Sequence, residues 1–464
     1  MNLDLAITNG ILIDEHGERA VELGVRAGQI VVVATRGQLP SAAQTIDAQG
    51  LWVLPGFVDA HFHCRAPDHP AREDFASGTM AAAAGGVTTL CEMPISNVGV
   101  TNADILNTRR ALLERDAYID VGLFAACGTL DRDAIHGLAD AGAIAFKVFT
   151  HRAPKGRESA FQGMCLTENH EFWRALTLTH ETGLPCAFHA EDDALIDVYG
   201  KEAHAKGLKG VEFYLASRPS AVEAMAVARL VTMAEATGAH VHIVHVTSAW
   251  AADIVRQARR RGARVTAETC PQYMLFDEEI ARKFGTWVKV APPLRSKADC
   301  EALWAALADG TLDFVASDHA PFTAADREGV SLEAAPSGMP NVEVFAPLVL
   351  SAARERCIPM QRAIGWLTAN PARVYGFYPR KGALMPGTDA DIVLYDPNAT
   401  TTIDTRRWFS RSRDAARVFD GVTYRGRVVQ TIARGQTVFR EGAIVGERGW
   451  GRMVKPVPSS SSEF

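Results

Sequence analysis

Two histidines one residue apart, His61 and His63, close the apolar run "VLPGFVDAHFHCRAP" (Val53–Pro67). On a β-strand, residues i and i+2 project to the same face, so the two imidazoles converge on one point. Neutral imidazole is a common metal ligand, and a converging pair makes half a metal site. As an isolated pattern, H-x-H describes two loop histidines equally well. Groups of the right type end other apolar runs: Lys147 in "AIAFKVFT", His189 in "CAFHAED", His245 in "HIVHVTS" and Asp318 in "VASDHAPF". Taken singly, a strand lysine can extend its ammonium to water, and a strand histidine is commonly a hydrogen-bonded core residue. Six such groups at the ends of five strands predict one shared metal site, provided the chain folds so that those ends meet.

The elements that must bring them together are legible as a rhythm. Short apolar runs alternate with helical stretches, and strands are expected at Phe57–His63, Val87–Met93, Ile119–Ala125, Ile144–Thr150, Pro185–Ala190, Val241–Thr247, Arg264–Glu268 and Phe314–Asp318. Helices follow most of them, as at Ala103–Arg115, Ala221–Thr237 and Ala251–Arg261. Strands apolar on both faces, alternating with helices, imply a parallel sheet. Eight such units predict an α/β fold of the (β/α)8 TIM-barrel type over residues 55–376, whose functional groups sit at the C-terminal strand ends. An open doubly wound sheet is the alternative. The flanking segments 1–54 and 377–447 are rich in strand and turn signals and are expected to pair into a smaller composite β-sandwich domain. Residues 448–464, ending in "VKPVPSSSSEF", read as a disordered tail.

Composition narrows the class. The 464 residues are 47% hydrophobic and 22% charged, enough to bury a large core, and the formal net charge of −6 gives no footing for nucleic acid. The N-terminus has no basic signal-like region and no apolar run is long enough for a membrane span. Eight scattered cysteines without C-x-x-C spacing suit free thiols in a reducing compartment. A cytoplasmic protein is expected. Gly85–Gly86 read as the end of a helix before the second strand, and Cys64 as a neutral thiol in a pocket wall.

The chain resembles the amidohydrolase superfamily, in particular its cyclic amidohydrolases: dihydroorotases, allantoinases and hydantoinases. The motifs that carry the resemblance are "PGFVDAHFH", "GTMAAAAGGVTT", "FKVF", "HAED", "HIVHVTS", "PPLR", "SDHAP", "TANPARVYG" and "GTDADIVLYDP". The resemblance implies that His61, His63 and Asp318 hold one divalent ion and His189 and His245 a second. Lys147, carboxylated by carbon dioxide, bridges them. An ammonium buried among Phe146, Val148 and Phe149 is inclined to lose its proton, and the neutral amine can then become an anionic carbamate. Zinc accepts such ligands, as do manganese, cobalt and iron. The implied reaction is hydrolytic opening of a cyclic amide or ureide through a metal-bridging hydroxide, with Asp318 shuttling the proton to the leaving nitrogen. The small-molecule substrate is the implied partner, along with a second or further copy in a homodimer or homotetramer. Some relatives have lost metal ligands and act as scaffolds, but all six expected ligands are present here.

Substrate choice rests on the loops. Arg65 falls where dihydroorotases carry a carboxylate-binding arginine, but Ile95 and Phe322 replace their asparagine and histidine, which disfavours dihydroorotate. Arg65 could instead pair with Glu73 or Asp74. Hydantoinases carry a tyrosine five residues after the bridging lysine, where this chain has Arg152, although "ETCPQYMLF" is hydantoinase-like. Together with "EFYLASRP" and "MPIS", these features favour an allantoinase-like ureide hydrolase. His151 or Arg152 could touch substrate, Lys155 and Arg157 read as parts of a mobile loop, and the resemblance places Gly338 and Asn341 of "GMPNVE" against the ring.

Overall fold

In the computed structural model, which describes residues 2–96 and 98–457, the strand–helix alternation becomes parallel sheet. Phe57–Phe62 pairs with Val87–Glu92, and Val87–Glu92 with Asp120–Leu123, all in parallel. A six-stranded parallel sheet continues in chain order through Ala125–Ala126, Phe146–Phe149, Cys186–His189, Val241–Ile243, Val265–Thr269 and Phe314–Val315. The expected third strand is thus broken at Phe124, whose N–H donates to Glu92 O (2.9 Å) while Ala125 N–H turns to Ala145 O (3.0 Å). At the other edge, Phe62 forms a parallel bridge with His319, just beyond the last strand. Phe57–Phe62, Val87–Glu92 and Phe146–Phe149 are buried at every position, Asp59, His61, Glu92 and Lys147 included, as strands covered on both faces are.

Helices begin at side-chain caps. Asn102 accepts from Ile105 N–H at the head of Ala103–Asp116, and Ser248 accepts from Ala251 N–H at the head of Ala249–Arg260. The helix Phe75–Ala84 ends at Gly85, and Gly86 takes a φ of 87°, so the glycine pair does end a helix.

The terminal segments form two further sheets. One has four strands, all from the first fifty residues: Gln29–Thr35, Val21–Arg26, Leu3–Thr8 and Ala42–Asp47. The other has seven and mixes the two ends of the chain, because Ile392–Thr402 runs antiparallel to Trp52–Pro55. Leu5, Leu23, Val53, Ile392 and Ile432 share one buried cluster contributed by both sheets. The chain passes from here into the parallel sheet through Gly56, where any Cβ would collide with the Thr88 side chain.

One boundary expectation needs correction. Residues 448–457 do not form a free tail: Val121 N–H donates to Arg452 O (3.0 Å), Val454 N–H to Val121 O (2.9 Å) and Val457 N–H to Gly376 O (2.8 Å). The backbone satisfies the edge of Asp120–Leu123, which a reading by composition could not anticipate. Residues 458–464 lie outside the described residues. Among the described residues no helix is long and apolar enough to cross a membrane.

Candidate metal centre

The C-terminal strand ends meet. His61 and His63 each place Nε2 3.4 Å from Asp318 Oδ1, and His189 Nδ1 lies 3.0 Å from His245 Nε2. The His61 and His245 rings stack with centroids 5.5 Å apart, which joins the two groups. Lys147 is 0% exposed, and its Nζ has no hydrogen-bond partner. His245 and Asp318 sit in the left-handed region at φ 39° and 47°. Such backbone is unfavourable for these residue types and clusters at functional sites. It turns both side chains inward just past their strands.

Anchors fix the ring orientations. His61 Nδ1 lies 2.6 Å from Glu268 Oε1, leaving Nε2 to face Asp318. Glu268 Oε2 also reaches His242 Nε2 (3.2 Å). His189 Nε2 lies 2.8 Å from Glu191 Oε2, which takes a further bond from Arg218 (2.6 Å). Asp59 accepts from Ser317 N–H (2.8 Å), the Ser317 hydroxyl (2.5 Å) and His61 N–H (3.3 Å), tying the first strand to the segment bearing Asp318. Glu268 and Glu191 were not singled out in the sequence. Glu191 sits at i+2 from His189 in "HAED", and that spacing is a usable signal; Glu268 lies near the end of the seventh strand, Val265–Thr269, one of three strand ends to which the sequence pattern assigns no ligand.

Burial dominates the electrostatics. It lowers the Lys147 amine to about 8, with Glu268 and Asp318 opposing the shift. It raises Asp318 to about 8 against the pull of Lys147, and Glu268 likewise to about 8. Desolvation holds His61, His63 and His245 well below the usual imidazole value, and His189 at about 3. Burial would raise Glu191 too, but Arg218 and His189 outweigh it and keep the carboxylate ionised. The result is four neutral imidazoles, a partnerless lysine and a carboxylate whose charge has lost its water. That donor set suits divalent cations. The buried Nζ of Lys147, which has no hydrogen-bond partner, fits a ligand position in such a site. His61, His63 and Asp318 form one compact metal-capable group, and His151, His189 and Glu191 a second.

A cavity of about 1040 Å³ opens above these residues. Arg65, Ile95, Phe322 and Gly338 line it. Arg65 does not pair with Glu73 or Asp74. Glu73 is engaged by Ser77, Ser410 (2.5 Å) and His319 (3.3 Å), and Asp74 caps a helix and pairs with Arg411 (2.6 Å). Gly338 borders the cavity, but its N–H is committed to Lys289 O (2.8 Å). Asn341 is 1% exposed and absent from the lining. Its N–H donates to His319 Nδ1 (3.0 Å) and its amide to Ser317 O (2.7 Å), so it braces the Asp318 segment from behind. Arg152 is exposed and paired with Asp193 and Asp197, whereas His151 is buried and lines the cavity with its ring 4.9 Å from that of His189. Cys64 packs in the core rather than in the cavity wall, with its thiol pushed up by burial.

Known proteins bear on this geometry. The amidohydrolase family model matches residues 52–438. The chain is 34% identical over 460 residues to an allantoinase of Deinococcus radiodurans, covering 98% of this chain and 99% of that one. It is 32% identical over 466 residues to a D-phenylhydantoinase of Escherichia coli, covering 97% and 98%. The solved L-hydantoinase (dihydropyrimidinase) of Arthrobacter aurescens superposes with a TM-score of 0.93 at 28% identity, covering 98% of this chain and all of that one. With strand-end histidines, a buried lysine and an aspartate gathered under one cavity, and with matches running nearly end to end, this chain belongs to the amidohydrolase family, in its cyclic amidohydrolase group.

Proposed function

We propose that the protein is a metal-dependent hydrolase that opens a cyclic amide or ureide ring, of the allantoinase-like kind. The observation that carries this reading is the convergence of His61, His63, His189, His245 and Asp318 around a buried, partnerless Lys147 at the floor of a cavity. The ring class draws support from the allantoinase and hydantoinase relatives. The same reading closes residues 55–376 into a (β/α)8 barrel, with 1–54 and 377–447 as the composite domain, and assembles the chain as a homodimer or homotetramer.

His61 and His63 through Nε2, with Asp318, would hold one ion, His189 through Nδ1 and His245 through Nε2 the other, and a carboxylated Lys147 would join them. Zinc is the first choice, with manganese, cobalt or iron compatible. When bound, two divalent cations supply Lewis acidity, polarising the ring carbonyl and lowering the pKa of water to roughly 7. Asp318 takes the proton of the attacking water and delivers it to the ring nitrogen as the C–N bond breaks, leaving a carboxylate and a free amide or amine. Glu268 and Glu191 keep the imidazoles in orientation. Ile95, Phe149 and Phe161 offer an apolar wall for the flat ring, and Arg65 holds a substrate oxygen.

The test is metal analysis of chain purified without chelator, with ring-opening assays on allantoin, hydantoins, dihydropyrimidines, dihydroorotate and cyclic imides. About two metal ions per chain and turnover of at least one ring are expected. A chain that retains no metal and opens no ring overturns the reading.

A further inference from the structure

Phe322, which in sequence looked like the loss of a polar substrate contact, is surrounded by guanidinium groups. The carbon atoms of those groups lie 4.8 Å (Arg65), 5.0 Å (Arg72), 5.6 Å (Arg327) and 5.8 Å (Arg157) from the ring centroid. Two of the four are neutralised or committed. Arg72 makes a two-pronged pair with Asp326 (3.1 and 2.5 Å), and Arg327 donates to the carbonyls of Thr286 and Gly338.

Arg65 and Arg157 differ. Arg65 is 6% exposed, and its Nε is buried without an acceptor. Of the acids whose fields reach it most strongly, Asp318 faces the histidines and Glu92 is held by Arg109. The acid whose field reaches Arg157 is Asp326, already taken by Arg72. Both arginines border the cavity. A buried and a half-buried guanidinium against one aromatic ring, with the nearest acids committed elsewhere, are unfavourable unless an anion completes the site. A cavity of about 1040 Å³ also leaves room for an arm beyond a single five-membered ring.

We propose that Arg157, acting with Arg65 across the Phe322 ring, is a specificity-determining residue that binds an oxyanion arm of the substrate. The substrate class is then a cyclic amide or ureide bearing a carboxylate arm. Phe322 serves as a platform for both guanidiniums, Arg157 also standing over the Phe161 ring (5.1 Å), and the apolar wall of Ile95 and Phe149 takes the substrate ring. This rests on the cyclic-amide reading and, within it, replaces the neutral ureide of the allantoinase-like choice with an acidic ring.

The experiment uses the metal-loaded full chain and two matched pairs of probes: hydantoin-5-acetate against hydantoin-5-acetamide, and dihydroorotate against its amide. Ring opening and calorimetric binding are both measured, with allantoin as the reference for a neutral arm. In at least one pair the acid is expected to exceed the amide by tenfold or more in kcat/KM or in affinity. Arg157→Met is expected to collapse that ratio by tenfold or more, and Arg157→Lys to restore part of it. Amides handled as well as acids, or an equal fall for both members in Arg157→Met, overturn the proposal. If no ring is opened but the acid still binds tenfold more tightly through Arg157, the anion site stands and the hydrolase reading fails.

Discussion

Lys147 and Lys381 are both buried lysines, 0% and 1% exposed, and each reaches its burial by a different route. Lys381 lies where the chain re-enters the β-rich region and is surrounded by carboxylates: Asp120 Oδ2 at 2.6 Å, Asp391 Oδ2 at 2.8 Å and Asp389 Oδ2 at 3.0 Å. Burial alone would lower its pKa, but the three aspartates outweigh that and raise it. Lys147 has no hydrogen-bond partner, and burial prevails, bringing it down to about 8. A buried ammonium with satisfied hydrogen bonds is a structural tie. One without them is open to a different role, which the proposed reading gives as joining the metal ions.

Substitutions sharpen or break that contrast. The largest effect is expected from Lys147→Met, which on the proposed reading removes the joining ligand. Activity should fall to the buffer blank and metal content should collapse, while the fold, followed by circular dichroism, persists because no native hydrogen bond is lost. Restoration of a little turnover by added formate or acetate would confirm that the position needs only an anion. Full metal and turnover in Lys147→Met would end the contrast.

Asp318→Asn should lower kcat by about 10²–10⁴-fold in chains that still fold, measured at matched metal occupancy. Parent-like turnover would assign the proton to another group. Glu268→Gln is expected to weaken metal affinity by about 10–100-fold, read by competition with a chelator, because His61 loses the carboxylate that fixes its Nδ1. No change in affinity would make Glu268 a core residue only.

Lys381→Met should leave kcat per folded chain unchanged and destabilise the protein by about 3–5 kcal/mol, since the aspartates are left with uncompensated buried charge. The sign with pH follows from the raised pKa of Lys381. Its stabilisation is fully present below the unfolded value of 10.5 and is lost as pH rises through the higher folded value. The gap in melting temperature between parent and variant should therefore be constant from neutrality to about pH 10 and shrink above it. A gap that closes near pH 8 would mean that the two lysines are alike after all.

Much of the site was legible because its signals are local. A period of two in "HFH" aims two rings at one point, and polar groups ending apolar runs stand out against their neighbours wherever the chain is cut. Glu268 and Glu191 were legible only weakly, since an acid near a histidine in sequence need not touch it. Arg157 could not be assigned at all: in sequence it belongs to a charged loop, and only folding brings it 5.8 Å from the ring of Phe322. Asn341 shows the reverse error, a residue in the right loop whose side chain turns to Gln272 and Ser317 rather than to the cavity.

By itself, the sequence determined which side chains could bind metal, that parallel strands must carry them, and that both ends of the chain would be β-rich. These follow from periodicity and residue chemistry, which are short-range properties. The tertiary structure decided which charges are compensated. Lys381 and Lys147 are alike as letters, and whether a lysine pairs with three aspartates or makes no hydrogen bond depends on residues up to 261 positions away. It likewise decided that 448–457 would pair along Val121, and that Phe322 would gather arginines from three stretches of chain, Arg65 and Arg72 sharing one. Compensation and crowding are set by distances in space, and the order of residues along the chain does not contain those distances.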